Sequence, residues 1–416
     1  MSLTVLFVVV VLWAVLPLQG VLAEESTDPV SFLHYWTDDM SGGVNEMTAR
    51  FSAENPDSPI QATGFEHEAF KISINVMLDS GTPPDMFSYW AGARVQALVD
   101  KGHLEPIDDI WAAADLDAKL SPAVSQACTH GEHAYILPLT QHYVCFFYNK
   151  ALFEQAGVSP PATWEEFLNV CARLKEQSIT PIALGARHRW PAQFWFDMLL
   201  LRTAGPEYRR QLVQGQASYT DAEVIRAFGL WRELLQAGYF LDRAEALDWA
   251  DAAKAVHGGE AAMTLMGTWI IGLFDGPLGW RQLQDYEYFV FPVIDPNVPM
   301  VALGPIDGIV VPTHGDVAAA KQALVYFAEP GPQMAMSRGS GALVPVSDIA
   351  PDFYPPMQQR IADTVASADE WAFNYDLATP PPVAKLGLET MAHFVADPTR
   401  LEELLAQLQD NVSRLE

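Results

Sequence analysis

The sequence predicts an α/β protein of two lobes, and three observations carry that expectation. Runs with strand character alternate with runs of helical spacing through the first third of the chain; helices dominate the centre; strand character then returns at residues 286–292 and 308–312. Alternation of this kind gives parallel sheets with helices on their faces, and a chain that returns to strands after a helical stretch joins its lobes by more than one crossing. The length agrees. Residues 3–15 form an almost unbroken apolar run, followed by Pro17, Gly20 and the small-residue site Val21-Leu22-Ala23 ahead of Glu24-Glu25, which is the pattern of a secretory signal peptide cleaved after Ala23. Its removal leaves roughly 390 residues, enough for two ordinary domains.

In chain order, residues 30–35 read as the first strand. Residues 43–53 follow with Val44, Met47 and Phe51 at helical spacing and stop at Asn55-Pro56. Residues 70–78 are helical again, and Gly81-Thr82-Pro83-Pro84 breaks them ahead of a short strand at 85–88. A helix over 94–101 ends at Gly102, and 132–148 read as paired strands around Pro138. Thr163 and Glu166 form a capping box for a helix reaching Lys175, the threonine oxygen accepting from the N–H three residues on while the glutamate reaches back. Helices are expected over 195–202, 221–237 and 249–257. Gly258-Gly259 then turn into a buried strand that delivers Gly267-Thr268-Trp269 to its end, with Gly267 letting backbone approach a ligand. Helices at 317–327 and 401–415 close the chain, with Thr379-Pro380-Pro381-Pro382 as a loop ahead of the last of them. The expected division assigns 24–138 and 300–348 to an N-terminal lobe, and 139–299 and 349–416 to a more helical C-terminal lobe.

Composition excludes several classes. Lys and Arg number 24 against 52 Asp and Glu, a net charge of −28, which argues against nucleic acid or an anionic membrane surface as partner. No segment after the leader reaches about 18 uninterrupted apolar residues, the length a membrane span needs, and no Cys near the cleavage site offers itself to a lipid. The expected location is therefore periplasmic or otherwise extracytoplasmic. The 3 cysteines, Cys128, Cys145 and Cys171, do not make a disulfide scaffold; whether Cys128 and Cys145 bridge is open at this level. His130 and His133 lack the helical His-Glu-x-x-His spacing of a zinc site, and no nucleophile elbow or phosphate-binding glycine loop occurs. No cofactor or metal is expected.

Tryptophan is the most informative residue type. Of the 12 in the chain, several stand where an apolar run gives way to glycine, proline or charge, the place where open sheets bind ligands. An indole at a concave surface beside amides and carboxylates suits a sugar ring, whose two faces differ in polarity. Tyr89 and Trp90 end a strand immediately before Ala91-Gly92. Trp190 and Trp195 lie near the start of a helix with exposed N–H groups, one or the other being favoured. Trp269 follows Gly267 and is the strongest stacking candidate. Asp38 and Asp39 offer bidentate acceptors or a solvated turn. His67 and Glu68 precede Lys71, with which Glu68 pairs at i, i+3 on a helix surface. Arg338, beside Gly339-Ser340-Gly341, reaches a hydroxyl or steadies its lobe. Trp111, Trp164, Trp231, Trp249, Trp280 and Trp371 have ordinary packing explanations and stay outside the expected site.

Residues 157–167, GVSPPATWEEF, together with 81–87 (GTPPDMF), Tyr148-Asn149-Lys150 followed by Phe153, and 258–269 (GGEAAMTLMGTW), make a specific pattern in this order. The chain resembles the family 1 extracellular solute-binding proteins of ABC importers, the maltose-binding-protein-like receptors, over nearly all of its mature length. Residues 67–71, 89–94 and 183–197 look like a subgroup that takes monosaccharides and short oligosaccharides. What the resemblance implies is a two-lobe periplasmic-binding-protein fold of type II, each lobe a sheet flanked by helices, hinged around a cleft. It further implies a monomer that closes on a carbohydrate and presents it to the transmembrane permease subunits, without catalysis. Trp36, which follows the first strand where the apolar run gives way to charge, matches a cleft aromatic of the family or packs in the core; the resemblance adds Gln141 and His142 as holders of sugar hydroxyls and Asp307 as a polar site, and His142 reads equally as an interior imidazole. Two other classes remain in view: a secreted glycoside hydrolase, whose paired carboxyls stand about 5 Å or roughly 6.5 to 9.5 Å apart, and a receptor for a non-sugar solute such as a polyamine.

Overall fold

The computed structural model describes residues 29–37 and 40–415; the expected leader and the pair Asp38-Asp39 lie outside them. Five strands, β1 (Val30–His34), β2 (Ile60–Gly64), β3 (Met86–Trp90), β6 (Leu137–Gln141) and β12 (Ile306–Val310), form a sheet in the order β2-β1-β3-β12-β6. β1 runs parallel to β2 and β3, while β12 is antiparallel to β3 and β6. The start of β12 therefore shares one sheet end with the carboxyl ends of β1, β3 and β6. β3 reads MFSYW with every residue buried, as expected of a strand covered on both faces. β2 is a half-exposed edge strand reading IQATG, and its lack of apolar alternation leaves no signal in the sequence.

The second sheet has the order β10-β7-β9-β8, built from β7 (Val144–Asn149), β8 (Thr180–Ala183), β9 (Ala261–Gly267) and β10 (Tyr286–Phe289). Helices Trp164–Glu176, Gln193–Thr203, Ala222–Gln236 and Trp249–His257 accompany it. Two small ladders complete the set: β4 (Thr129–His130) with β5 (His133–Ala134), and β11 (Val301–Leu303) with β13 (Glu370–Ala372). The capping box at Thr163 and Glu166 is formed. Among the described residues no helix is long and apolar enough to cross a membrane.

Residues 132–148 are not one set of paired strands. β6 pairs with β12 in the first sheet and β7 with β9 and β10 in the second, so His142-Tyr143 carry the chain from one sheet to the other. The expected division set the crossings after residues 138 and 299; the first sheet runs to Gln141, and Val301, Ala302 and Leu303 pack in the second lobe's core. Pro381 and Pro382 are also no loop, because they open the helix Pro381–Ala396, where a missing N–H costs nothing. Each lobe has its own apolar core. Cys128 lies in the first, Cys145 and Cys171 in the second, and all three are buried free thiols; Cys128 and Cys145 do not bridge.

The crossings are tight. His142 N–H donates to Pro305 O at 3.0 Å and Gly304 N–H to Ala372 O at 3.0 Å. A Cβ at Gly304 would lie 1.7 Å from the His142 carbonyl oxygen, a backbone atom with nowhere to go. Gly304→Ala is therefore expected to lower unfolding stability in urea by about 1–3 kcal/mol or more. Gly42→Ala, in a helix with nothing within 4 Å of its added methyl, should instead raise it by up to about 1 kcal/mol.

Candidate functional site

The sheet ends open onto one cleft between the lobes. The N-terminal lobe contributes Tyr35 and Trp36 from the end of β1, Trp90 from the end of β3, Asp307 from the start of β12, and His67, Lys71 and Arg94 from the adjoining helices His67–Asp79 and Ala93–Asp100. The other lobe contributes Trp190, Gln193, Phe194, Trp249 and Trp269, together with Asn374 and Asp376 at the short helix Tyr375–Ala378. The space between these walls measures about 690 Å³, the solvent at its open mouth included.

Register places the central carboxyl. Asp307 lies opposite Trp90 on one side and Thr140 on the other, with a bulge between it and Gly308, and a Cβ at Gly308 would meet the Leu137 carbonyl oxygen at 2.1 Å. Burial pushes the Asp307 carboxyl up to about 7, against the pull of the Thr140 hydroxyl, which donates to Oδ2 at 3.2 Å, and of the nearby Tyr35 hydroxyl. Neither Tyr35 Oη nor Asp307 Oδ1 completes a hydrogen bond. His142 Nε2 lies 3.8 Å from Asp307 Oδ2, but burial holds the imidazole down to about 3, so this is a contact with a neutral ring and not an ion pair. The other nitrogen, Nδ1, sits 3.0 Å from Thr268 Oγ1.

The aromatic rings are layered. Tyr35 stacks on Trp90 at 4.2 Å and 12°, while Lys71 Nζ and the Arg94 guanidinium approach the Trp90 ring at 5.7 and 5.3 Å. Trp90 is thus packed by its own lobe, in a cation–π arrangement, and is not an open platform. Trp190 and Trp269 meet edge to face at 5.9 Å, and Trp269 meets His142 likewise at 5.3 Å. Trp190 also faces His67 across the cleft, with ring centroids 5.9 Å apart. The space above Gly267 is filled by the Trp269 ring, which a Cβ would meet at 1.9 Å; Gly267 accommodates that indole and leaves no gap there for a ligand.

Charge in the cleft is paired. Lys71 Nζ lies 2.8 Å from Glu68 Oε1 and Arg94 Nη2 lies 2.9 Å from Asp376 Oδ2, the second pair linking the two lobes. Burial opposes ionisation of Glu68, yet the His67 hydrogen bond and the Lys71 charge outweigh it and hold the carboxyl at about 2. His67 is lowered to about 4, first by burial and then by Lys71. Behind the wall, the buried Asp197 accepts from Arg209 at 2.8 Å and from Tyr375 N–H at 2.6 Å, which fixes the helix that carries Asp376.

Unpartnered polar atoms concentrate in this cleft. Of the fifteen buried side-chain polar atoms without a hydrogen-bond partner among the described residues, six lie on its walls: Tyr35 Oη, Trp36 Nε1, Arg94 Nε and Asp307 Oδ1 from one lobe, Gln193 Nε2 and Asn374 Oδ1 from the other. Such atoms in a folded chain call for an explanation, and here the donors and acceptors converge from both sides on one space.

The structure gathers Trp36, His67, Trp90, His142, Trp190, Trp269 and Asp307 in the cleft. Glu68 stands behind, joined to His67 and Lys71, in a half-buried pair at the cleft wall and not on an open surface. Tyr89 is buried against Phe87 and Trp90. Gln141 exchanges backbone hydrogen bonds with Leu343. Trp195 is fully buried in the second core, against Phe146, Trp231 and Phe240, because it stands two residues after the cleft-lining Gln193 and so on the opposite side of the helix. Arg338 lies outside the cleft, paired with Glu46 at 3.2 Å and stacked near Phe353. Trp249, set aside at the sequence level, does line the cleft. Tyr35, Arg94, Gln193, Asn374 and Asp376 were not singled out: Arg94 and Gln193 lie within the stretches 89–94 and 183–197 and Tyr35 beside Trp36 at a strand end, while Asn374 and Asp376 belong to no motif.

Comparison with known proteins accords with this architecture. The model of the bacterial extracellular solute-binding proteins matches residues 37–334. An uncharacterized ABC transporter extracellular-binding protein of Pyrococcus horikoshii is 28% identical over 402 residues, covering 94% of this chain and 84% of the relative. A probable sugar-binding periplasmic protein of Rhizobium meliloti is 28% identical over 261 residues, 61% of each chain. Among solved structures, the bacterial solute receptor AcbH, described as preferring β-D-galactopyranose exclusively, superposes with a TM-score of 0.86 at 25% identity, covering 94% of this chain and 100% of that one. A chitin oligosaccharide binding protein shares the fold, with a TM-score of 0.84 at 24% identity over 92% of this chain and 98% of that one.

Two predictions separate core from cleft. Trp195→Ala should lower stability by about 3–5 kcal/mol, whereas Trp190→Ala, at the cleft rim, should lower it by less than half as much in the same urea titration. Asp307 gives a pH signature. Its folded value of about 7 stands above the ordinary carboxyl value of 3.8, so the folded chain keeps a proton that the unfolded chain releases. That contribution is full below about 3.8 and is lost as pH rises through 7. Asp307→Asn removes it, so the stability of the variant relative to wild type should rise between about pH 5 and pH 8 by an amount on the order of 2–3 kcal/mol; a flat difference contradicts the assignment.

Proposed function

The chain belongs to the bacterial extracellular solute-binding protein family, and from that premise we propose that it is the receptor of an ABC importer for a mono- or short oligosaccharide. The observation that carries this reading is the set of unpartnered buried polar atoms divided between the two lobes. A sugar hydroxyl donates and accepts at one atom, so a polyol satisfies N–H donors such as Trp36 and Gln193 and acceptors such as Asp307 and Asn374 together. The indoles of Trp190 and Trp269 supply the apolar contact for the ring's C–H face. A ligand touching both lobes favours the closed arrangement through contacts that exist only there. His142 and Gly304, where the chain crosses between sheets, sit where relative rotation of the lobes is taken up.

The function requires no bond to be broken. The protein acts as a monomer outside the cytoplasm and hands its sugar to the permease. A polyamine fits less well, since Asp376 and Glu68 already hold cations of the chain itself. Titration calorimetry against a panel including D-galactose, D-glucose, D-xylose and their disaccharides should give micromolar or tighter binding to at least one, a free energy near −8 kcal/mol. Trp190→Ala should weaken that binding roughly ten- to a hundred-fold. Binding of polyamines with none of the sugars would contradict the reading, as would cleavage of an oligosaccharide that stops on replacing Asp307.

A further inference from the structure

Arg94 and Asp376 form the charged contact across the cleft, and its surroundings are unusual. The guanidinium lies over Trp90, its Nη2 bonds Asp376 at 2.9 Å, and its Nε is buried without a partner. Asp376 is 7% exposed at the side chain. Its N–H donates to Gln193 Oε1 at 2.8 Å, and its Oδ1 is approached by Asn374 Nδ2 at 3.5 Å. In both amides the remaining atom, Gln193 Nε2 and Asn374 Oδ1, is one of those left unpartnered in the cleft. The ion pair is therefore the hub of three groups that each present one free hydrogen-bonding atom. The turn beneath it is just as close: a Cβ at Gly92, which has φ +95°, would lie 2.5 Å from the Leu377 carbonyl oxygen.

We propose that the Arg94–Asp376 pair is both the latch between the lobes and a charge filter that admits neutral sugars and rejects anionic ones. This rests on the sugar-receptor reading above and adds the class of sugar. Neutral hydroxyls complete Arg94 Nε, Gln193 Nε2 and Asn374 Oδ1 without disturbing the pair, and so tighten it. A sugar carboxylate instead competes with Asp376 for Arg94. Taking the arginine leaves Asp376 as a nearly buried carboxylate whose one remaining cationic neighbour, Lys71, is already bonded to Glu68, which is strongly unfavourable, and it also releases the lobes. Lys71 offers no alternative, because Glu68 already occupies it at 2.8 Å. A guanidinium that is paired, stacked and partly unsatisfied reads hydroxyls, where an unpaired one would read carboxylates.

The test uses two matched pairs, D-galactose with D-galacturonate and D-glucose with D-glucuronate, on wild type, Asp376→Asn and Arg94→Lys, with unfolding midpoints measured alongside. Wild type should bind the neutral member of a pair at least about tenfold more tightly, the scale of one hydrogen bond to a charged group. Asp376→Asn should lose affinity for the neutral sugar and shrink or reverse that preference by about tenfold or more. Arg94→Lys should lose the neutral sugar without gaining the uronate. An unchanged preference in Asp376→Asn, or a wild-type preference for uronates, overturns the filter. In parallel, spin labels at Gln61→Cys and Gln214→Cys, one exposed position in each lobe, report the latch with no sugar present. Asp376→Asn should shift the unliganded distance distribution to longer values, and no shift overturns the latch. If neither these four nor any sugar of the wider panel above binds wild type, the sugar reading itself is in error, and the label distances alone decide the latch.

Discussion

An unpaired polar atom buried from water costs about 1–3 kcal/mol, and this protein keeps six of them around a single space. The elements around the cleft hold them there. They are not surface groups free to turn toward solvent. Tyr35 and Trp36 are clamped at the end of β1 by ring contacts with Trp90, Phe70, Phe32 and His34. Asp307 is held by the antiparallel pairing of β12 between β3 and β6. Gln193 and Asn374 are each tied by their other amide atom to Asp376. A rigid arrangement of unsatisfied donors and acceptors is preorganised for a ligand, since little further ordering remains to oppose binding.

The same residues connect binding to motion. His142 is at once a wall of the cleft, a neighbour of Asp307 and the first residue of the crossing between sheets; its backbone bonds Pro305 while its ring meets Trp269 and Thr268. Gly304 lies beside it because no side chain fits against the His142 carbonyl. Cleft and crossing therefore share atoms, and under the proposed function a change in lobe angle would alter the distances among the groups that hold the sugar. Asp197 plays a similar part on the far wall. It is pushed up to about 6 by burial, against the opposing charge of Arg209, and its second oxygen anchors Tyr375 and hence the helix that carries Asp376.

Much of the fold was legible because its signals are local. Val44, Met47 and Phe51 at helical spacing, the Thr163 and Glu166 cap and the turn at Gly258-Gly259 each act within a few residues, and each element forms as read. The topology was less so: nothing within residues 132–148 tells that β6 and β7 part company at His142, because that depends on β12, which lies more than a hundred residues on. The site was legible where a tryptophan ends a strand or follows a glycine, as with Trp36, Trp90 and Trp269. It was misread where a helix decides direction, as with Trp195, turned into the core, and Trp249, turned into the cleft. Asn374 and Asp376 were invisible, and Arg94 and Gln193 stood out only as members of longer stretches, because the meaning of all four lies in each other. An arginine and an aspartate 282 residues apart announce no pairing in sequence, and a half-satisfied amide is a property of the folded wall alone.

The central claim is that a sugar completes polar atoms belonging to both lobes, and a deoxy series tests it most directly. With the tightest-binding sugar, each hydroxyl is replaced in turn by hydrogen and the affinity measured against wild type, Gln193→Ala and Asp307→Asn. The account predicts that at least two hydroxyls each carry a loss of about tenfold or more, because an unmet buried partner is left behind. It predicts further that one of these losses vanishes in the Gln193 variant and a different one in the Asp307 variant. Deoxy analogues that all bind as well as the parent, or losses that track a single lobe only, would contradict it.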